Sequence, residues 1–193
     1  GTSLLVYADT TGPGDHEWYA LYEGGIKLDA VILAVNDPAE TLDILLLSYP
    51  YQGVISRGIK VLFDRYGSAR AIPPRPIDIS PAPDSDAFRN LIGGFLVDSL
   101  TTAKFIARGD MLRAQHWFAH DLRPRLLKLI EWHAHGRDTW YDGRFIEEWA
   151  DPRALSALPA FFPRLDRTEL TQSLLFMIDF TRRFGTEVAA RLG

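Results

Sequence analysis

Asp29 is the first residue whose type and position suggest chemistry. It lies in the segment 26–35, which alternation predicts to be a strand, on the face that also carries Lys27 and Val31. A carboxylate there can serve as a general base or as a metal ligand. The alternative is a solvated carboxylate, or one paired with Lys27, since metal-assisted chemistry on nucleotides needs two or three convergent carboxylates.

Lys104 and Arg108 form a second candidate site. They are four residues apart in a segment predicted to be helical, so their side chains share one helix face. An ammonium and a guanidinium on one face can hold phosphate oxygens, the first as a point charge and the second as a fork. The alternative is an ordinary solvated helix face.

His116 and His120 have the i, i+4 spacing of a two-histidine metal site, with Asp121 adjacent. No Glu follows the first histidine and no distant third ligand is evident, so the alternative is histidines that lie among aromatic side chains. Arg113 and His120 also match the short Arg-x(4–6)-His pattern of helical RNases of the HEPN type, which arises often by chance.

The residues Gly67-Ser68 and Asp84-Ser85-Asp86 imitate a nucleotidyltransferase signature. That chemistry needs the Asp-x-Asp on a strand, where alternate carboxylates point together. Here the pair opens a predicted helix, and the simpler interpretation of Asp84 is an N-cap.

Acidic and aromatic residues are frequent between positions 121 and 149. Aromatic faces attract cations and carboxylates pair with amines or guanidines, so this set suits a cationic, polyhydroxylated small molecule. The alternative is core tryptophans beside a solvated acidic face. The set comprises Asp121, Glu131, Trp132, His133, Trp140, Tyr141, Glu147, Glu148 and Trp149.

The elements that must position these residues change along the chain. Residues 1–70 are strand-rich and 84–193 have helical spacing, while 71–83 hold five of the twelve prolines and are predicted to be a linker. We therefore predict an α+β protein with a sheet domain and a helical bundle domain. The predicted strands are 3–8, 18–22, 26–35 and 59–63, with a hairpin at 23–25, a loop at 10–15 and a short helix that starts at Asp37.

Aspartates mark the predicted helix starts in the second part. Asp84, Asp110 and Asp166 each precede apolar residues at three-four spacing, and Pro124 predicts a kink or break within the second of these helices. Two shorter helices are expected at 143–149 and 152–158. Three long helices with short connections predict an up-and-down bundle.

The composition limits the classes of function that the chain could have. The chain has 193 residues, 47% of them hydrophobic and 24% charged, enough for a packed core, and no cysteine. The absence of cysteine excludes thiolate chemistry within the chain and favours a cytoplasmic protein. A net charge of −4 argues against a nucleic-acid partner and suits a cationic ligand. No apolar run is long enough for a membrane span.

Four segments, in order over about residues 15–180, resemble the aminoglycoside 6-adenylyltransferases, or streptomycin adenylyltransferases, of the nucleotidyltransferase superfamily. The run Trp18–Asp29 resembles their strand–turn–strand with a Lys-Leu-Asp, and Lys104–Leu112 resembles their Lys-Gly-Leu-Ala-Arg-Asn-Glu element. Leu122–His133 resembles their Arg-Pro-x-Leu-Leu…Trp-His helix. Asp142–Phe145 resembles their Gly-Lys/Arg-Phe segment.

The resemblance implies AMP transfer from Mg-ATP to an aminoglycoside hydroxyl, by a small mixed-sheet catalytic domain and a helical bundle that hold both substrates between them. It assigns Asp29 as the third metal-site carboxylate and base. Lys104, with Arg108, is assigned to the ATP phosphates. The residues expected to line the acceptor pocket are Asp121, Glu131, Trp132 and His133.

One departure qualifies the expected activity. The family's Gly-Ser and Asp-x-Asp lie upstream of the strand with Asp29, and the 28 residues before Asp29 contain neither motif. We therefore expect a chain without the N-terminal part of the family, inactive alone because two of three metal carboxylates are missing. The alternatives are a non-catalytic binding remnant and a helical toxin–antitoxin module. A sheet without its first strands exposes an edge, so we expect a homodimer through 3–8 or 18–35.

Overall fold

The protein is described by a computed structural model that covers residues 3–12, 15–32, 60–65 and 82–192. The chain divides into two compact units, residues 1–75 and 76–193. The described part of the first unit is built on a small sheet, and that of the second is mostly helical. The predicted α+β class is confirmed.

The described sheet has three antiparallel strands in the order β1-β2-β3. The strands are β1 Ser3–Gly12, β2 Asp15–Tyr22 and β3 Lys27–Ile32. The predicted hairpin at 23–25 is confirmed, and Gly24 and Gly25 both have the positive φ that such a tight connection requires. Each strand alternates its side chains, so the register decides which residues share a face.

The described strands differ from the predictions in two respects. The pairing of β1 with β2 continues through Thr10 to Gly12, where a loop was predicted, because paired backbone outweighs the turn preference of these residues. Residues 60–63 form no strand, and Leu62 and Phe63 are more than four-fifths exposed, so no burial stabilises one. The predicted helix at Asp37, the end of the third strand at 33–35, the pair Gly67-Ser68 and most of the linker 71–83 lie outside the described residues.

The second unit contains six described α-helices. Two short 3₁₀ turns and one π-helical turn, Phe118–Leu122, accompany them. The helices are α1 Ser85–Arg108, α2 Met111–Trp117, α3 Arg123–His133, α4 Ile146–Trp149, α5 Pro152–Ala157 and α6 Arg167–Leu192. None of the described helices is both long enough and apolar enough to cross a membrane.

All three predicted N-caps are confirmed. The carboxylate of Asp84 accepts from the Ala87 N–H at 2.7 Å, that of Asp110 from the Arg113 N–H at 3.3 Å, and that of Asp166 from the Glu169 N–H at 3.0 Å. α1 ends at Gly109, whose φ of 82° is the left-handed conformation favoured by glycine. These caps fix where the long helices begin and end.

The kink predicted at Pro124 takes the form of a π-helical turn. Pro124 has no N–H and its ring clashes with the backbone one turn earlier, so a wider turn before it relieves the clash. The backbone N–H of Arg123 donates to Phe118 O, and so does its side-chain Nε at 3.0 Å. The chain stays helical through the proline, which joins α2 to α3 in one long element.

The core of the second unit lies where α6 packs against α1 and α3. Its largest fully buried side chains are aromatic and aliphatic. Phe180 contacts both Phe161 and Phe184, with ring centroids 5.0 and 4.1 Å apart. The fully buried members are Phe95, Phe118, Phe161, Phe180, Phe184, Leu122, Leu126, Leu129, Ile130, Leu170, Met177 and Val188.

Candidate functional site

Asp29 lies in the middle of β3, opposite Tyr19 of β2. Its Oδ2 is 3.1 Å from Nζ of Lys27, and about half of each of the two side chains is exposed. Lys27 also lies over the Tyr19 ring, 4.3 Å from its centroid. The carboxylate is thus accessible and paired with a cation two residues away, the arrangement that the alternative interpretation of this residue predicted.

The described residues around Asp29 do not fit a magnesium pair. A Mg²⁺ pair in a transferase needs several carboxylate oxygens that converge on the ions. Register places Glu17, opposite Val31, on the same face as Asp29, but an ammonium occupies Oδ2 of Asp29. Within the described ranges, no group of three or more His, Asp or Glu side chains could hold a metal ion.

Lys104 and Arg108 lie on α1, both exposed, and Arg108 belongs to the last turn. Cations in the last turn stabilise a helix because they face the negative end of its dipole. Among the described residues neither side chain has a hydrogen bond or an ion pair. The guanidinium of Arg167 lies nearby, 3.4 Å from where a Cβ on Gly109 would stand. This end of α1 is therefore a basic surface.

Glu131 is the most perturbed of the predicted acceptor residues. Its side chain is only 13% exposed, and Oε2 accepts a hydrogen bond from Nζ of Lys128 at 2.8 Å. Burial raises the pKa of Glu131, Lys128 opposes the rise, and the charge of Asp142 adds to it. A second cation close to Glu131 would stabilise its ionised form.

Asp142 approaches Glu131 because of an unusual turn. Asp142 and Phe145 have φ values of 54° and 53°, the left-handed region that side chains other than glycine seldom adopt. A Cβ on Gly143 would stand 3.2 Å from Leu127 Cδ2, so the turn packs closely on α3 one helical turn before Glu131. Backbone strain of this kind is frequently found at functional sites.

Aromatic side chains lie in the same turn. The rings of Trp140 and Phe145 meet edge to face, with centroids 5.4 Å apart, and the Arg144 guanidinium lies 5.2 and 5.0 Å from them. These rings already contact one cation, as their π faces favour. Together with Glu131 and Asp142 they form what we call the acidic–aromatic turn.

Trp132 and His133 are placed differently from Glu131. Both are buried, Trp132 against Phe88, and Nε2 of His133 is 2.7 Å from Oε2 of Glu187 on α6. Residues one or two apart on a helix point to different sides, so α3 does not bring the two together with Glu131. Asp121 is half-buried in the π-helical turn. Acceptor contacts by Asp121, Trp132 and His133 stay predictions.

The remaining patterns have structural explanations. The rings of His116 and His120 lie 4.3 Å apart on the exposed side of α2 and the π-helical turn, and Arg113 lies over the Phe105 ring. Asp84 is the cap already described and Asp86 pairs with Arg89, so the Asp-x-Asp imitation is a helix start.

Sequence reasoning missed Asp142 and Glu17 as neighbours of predicted site residues. The signal for Asp142 is the Asp-Gly pair between aromatic residues, which marks a turn. Glu17 is brought beside Asp29 only by the strand register, which a single sequence does not specify.

Comparison with protein families identifies the chain. The model of the streptomycin adenylyltransferase family matches residues 3–193, which is almost the whole sequence. Comparison with curated proteins finds no match. The match spans both the strand that carries Asp29 and the helices that carry Lys104 and Glu131. The chain therefore belongs to the streptomycin adenylyltransferase family.

Proposed function

We propose that the helical unit binds the aminoglycoside acceptor through the acidic–aromatic turn. The observation that carries the proposal is the largely buried Glu131, whose pKa is raised by burial and further by Asp142. Aminoglycosides carry several ammonium or guanidinium groups, which pair with carboxylates and lie against aromatic faces. A ligand cation beside Glu131 and Asp142 would lower the free energy that is needed to keep both carboxylates ionised.

The family activity assigns further roles in AMP transfer. The acceptor hydroxyl oxygen bonds to the α-phosphorus of ATP, the bond from that phosphorus to the bridging oxygen breaks, and pyrophosphate leaves. Asp29 takes the hydroxyl proton, and Lys104 with Arg108 holds the phosphates. Exposure of all three side chains, and the absence of a carboxylate partner for the two cations among the described residues, support these roles.

We further propose that the 193-residue chain binds its acceptor without transferring AMP when it is alone. Charge on the transferred phosphoryl group must be neutralised, and the described residues do not fit the magnesium pair that would do so. The sequence contains no Asp-x-Asp before Asp29. A non-catalytic binding protein of the same ancestry would also bind the acceptor without transferring AMP. We therefore propose that as the second candidate function.

Titration calorimetry with streptomycin tests the acceptor site. The Glu131→Gln variant should bind at least about tenfold more weakly, because a hydrogen bond to a charged group contributes about 1.5–3 kcal/mol. Glu169→Gln is the matched control, since Glu169 is also bound by one basic side chain, Arg164, but lies outside the turn. At a pH where Glu131 is partly protonated, binding to the wild type should release protons, because a cation lowers the pKa of Glu131.

Two results would contradict the acceptor site. One is equal affinity of the Glu131→Gln variant and the wild type. The other is the absence of heat with streptomycin on a folded sample at millimolar ligand.

A further inference from the structure

A pocket of about 400 Å³ opens beyond the end of α3, within the helical unit and outside the acidic–aromatic turn. This volume is within the range of sites that hold small molecules. No role in the proposed function uses its basic residues. It is lined by His133, Ala134, His135, Arg137, Asp151 and Arg191.

Two guanidiniums of the pocket have no carboxylate partner in the described part of the chain. Nη1 of Arg137 donates to the backbone O of Trp149 at 3.1 Å, and Nη1 of Arg191 donates to the backbone O of His133 at 2.7 Å. These bonds fix the side chains without neutralising them. A guanidinium has five N–H donors, so each arginine keeps donors for a ligand.

Two carboxylates near the pocket, Asp151 and Glu187, share one guanidinium, that of Arg153. Arg153 donates to Asp151 Oδ2 at 2.9 Å and to both oxygens of Glu187 at 2.8 and 2.9 Å. His133 adds a contact to Glu187 at 2.7 Å. Among the residues that line the pocket, two arginines stand against one carboxylate, Asp151, so the lining has an excess of positive charge.

We propose that this pocket binds a phosphorylated small molecule through its phosphate, with Arg137 and Arg191 as donors. Two arginines that line one pocket can each present a fork to different oxygens of a tetrahedral phosphate. The pocket volume exceeds that of a phosphate alone and leaves room for an organic substituent. The inference is independent of the proposed AMP transfer, whose phosphate residues Lys104 and Arg108 are not in this pocket.

Calorimetry on the full 193-residue chain at constant ionic strength tests the proposal. The probes are inorganic phosphate and ribose 5-phosphate, with ribose as the neutral control. Both anions should bind and ribose should not, with the phosphate ester the tighter if the substituent fits. In the double variant Arg137→Gln/Arg191→Gln the affinity should fall at least tenfold.

The variant Arg89→Gln/Arg182→Gln is the matched control, because it removes two guanidiniums from exposed positions of the same unit outside the pocket. It should bind both probes as the wild type does. If the double glutamine variant of the pocket does not fold, Arg137→Lys/Arg191→Lys is used instead, because it keeps the positive charge. Its affinity for the two anions should still fall, since lysine lacks the paired N–H donors of a guanidinium. The proposal is overturned if neither anion binds at millimolar concentration, if the folded pocket variants bind like the wild type, or if the control loses binding.

Discussion

At the residue scale, Asp29 has a simple physical situation: an exposed carboxylate with an ammonium beside it. Exposed pairs contribute little to stability, about 0–1 kcal/mol, so Lys27 can leave Asp29 at small cost when another cation or a proton donor arrives. A base that collects a hydroxyl proton benefits from this accessibility. The same exposure means that Asp29 alone provides no enclosed metal site.

The network around Arg153 gives a prediction about acid stability. Hydrogen bonds from Arg153 hold the pKa of Asp151 at about 2, and those from Arg153 and His133 hold the pKa of Glu187 at about 2. Both values lie below the ordinary values near 4, so the folded chain binds fewer protons than the unfolded chain. The contribution of these two carboxylates to the free energy of unfolding should therefore be complete above about pH 4.5. It should decrease as the pH falls toward 2.

Thermal unfolding of the helical unit followed by circular dichroism from pH 7 to pH 2 checks this slope. The Arg153→Gln variant should be less stable at pH 7 and should lose less stability on acidification. Arg89→Gln is the control, since its exposed pair with Asp86 contributes little. An unchanged acid slope in Arg153→Gln would show that the pKa values of Asp151 and Glu187 are not set by this guanidinium.

Whether the contact of a single residue could be predicted depends on how many residues separate it from its partner in the sequence. The caps at Asp84, Asp110 and Asp166 were predictable because donor and acceptor are three residues apart. The contact between His133 and Glu187 joins residues 54 apart, and no local pattern announces it. The resemblance assigns His133 to the acceptor pocket, and only the structure shows its contact with Glu187.

At the element scale, periodicity predicted where helices and strands lie along the chain. It did not predict their exact geometry. Pro124 predicted a disturbance, but only the contacts of the surrounding helix decide between a break and a π-helical turn. The strands β1 and β2 are longer than their apolar residues indicated, because the hydrogen-bond ladder continues across polar residues. The shared face of Asp29 and Glu17 depends on the register of β2 with β3.

The sheet also gives a prediction about self-association, which we propose occurs through β1. In the described part of the sheet, β1 has one neighbour, and its side chains Leu4, Leu5, Val6 and Tyr7 are more than half exposed. Unpaired edges with apolar side chains associate. The chain should therefore form a dimer, and Val6→Lys should raise the dimer dissociation constant at least about tenfold, since a buried lysine charge opposes pairing.

Light scattering with concentration-dependent sedimentation measures this association. Leu175→Lys, an equally exposed apolar position on α6, is the matched control and should dimerise as the wild type does. A wild type that stays monomeric at high concentration, or a Val6→Lys variant with unchanged association, would contradict the role of β1.

At the scale of the whole molecule, the family match and the described residues point to different parts of one activity. The match covers residues 3–193 and places the chain in the streptomycin adenylyltransferase family. The helical unit offers carboxylates and aromatic rings suited to a cationic acceptor, whereas the described sheet offers one candidate metal carboxylate with a lysine on it. The net charge of −4 suits a cationic ligand, whereas the position of the acidic–aromatic turn required the structure.

Transfer of radiolabelled AMP from Mg-ATP to streptomycin, measured on the purified chain, tests the central claim most directly. The sample is first shown by calorimetry to bind streptomycin, so that a lack of product reflects missing chemistry and not a missing acceptor. We expect bound streptomycin and no labelled product above the level of an Asp29→Asn variant. Labelled streptomycin formed by the wild-type chain and abolished in Asp29→Asn would contradict the account, because these residues would then suffice for transfer.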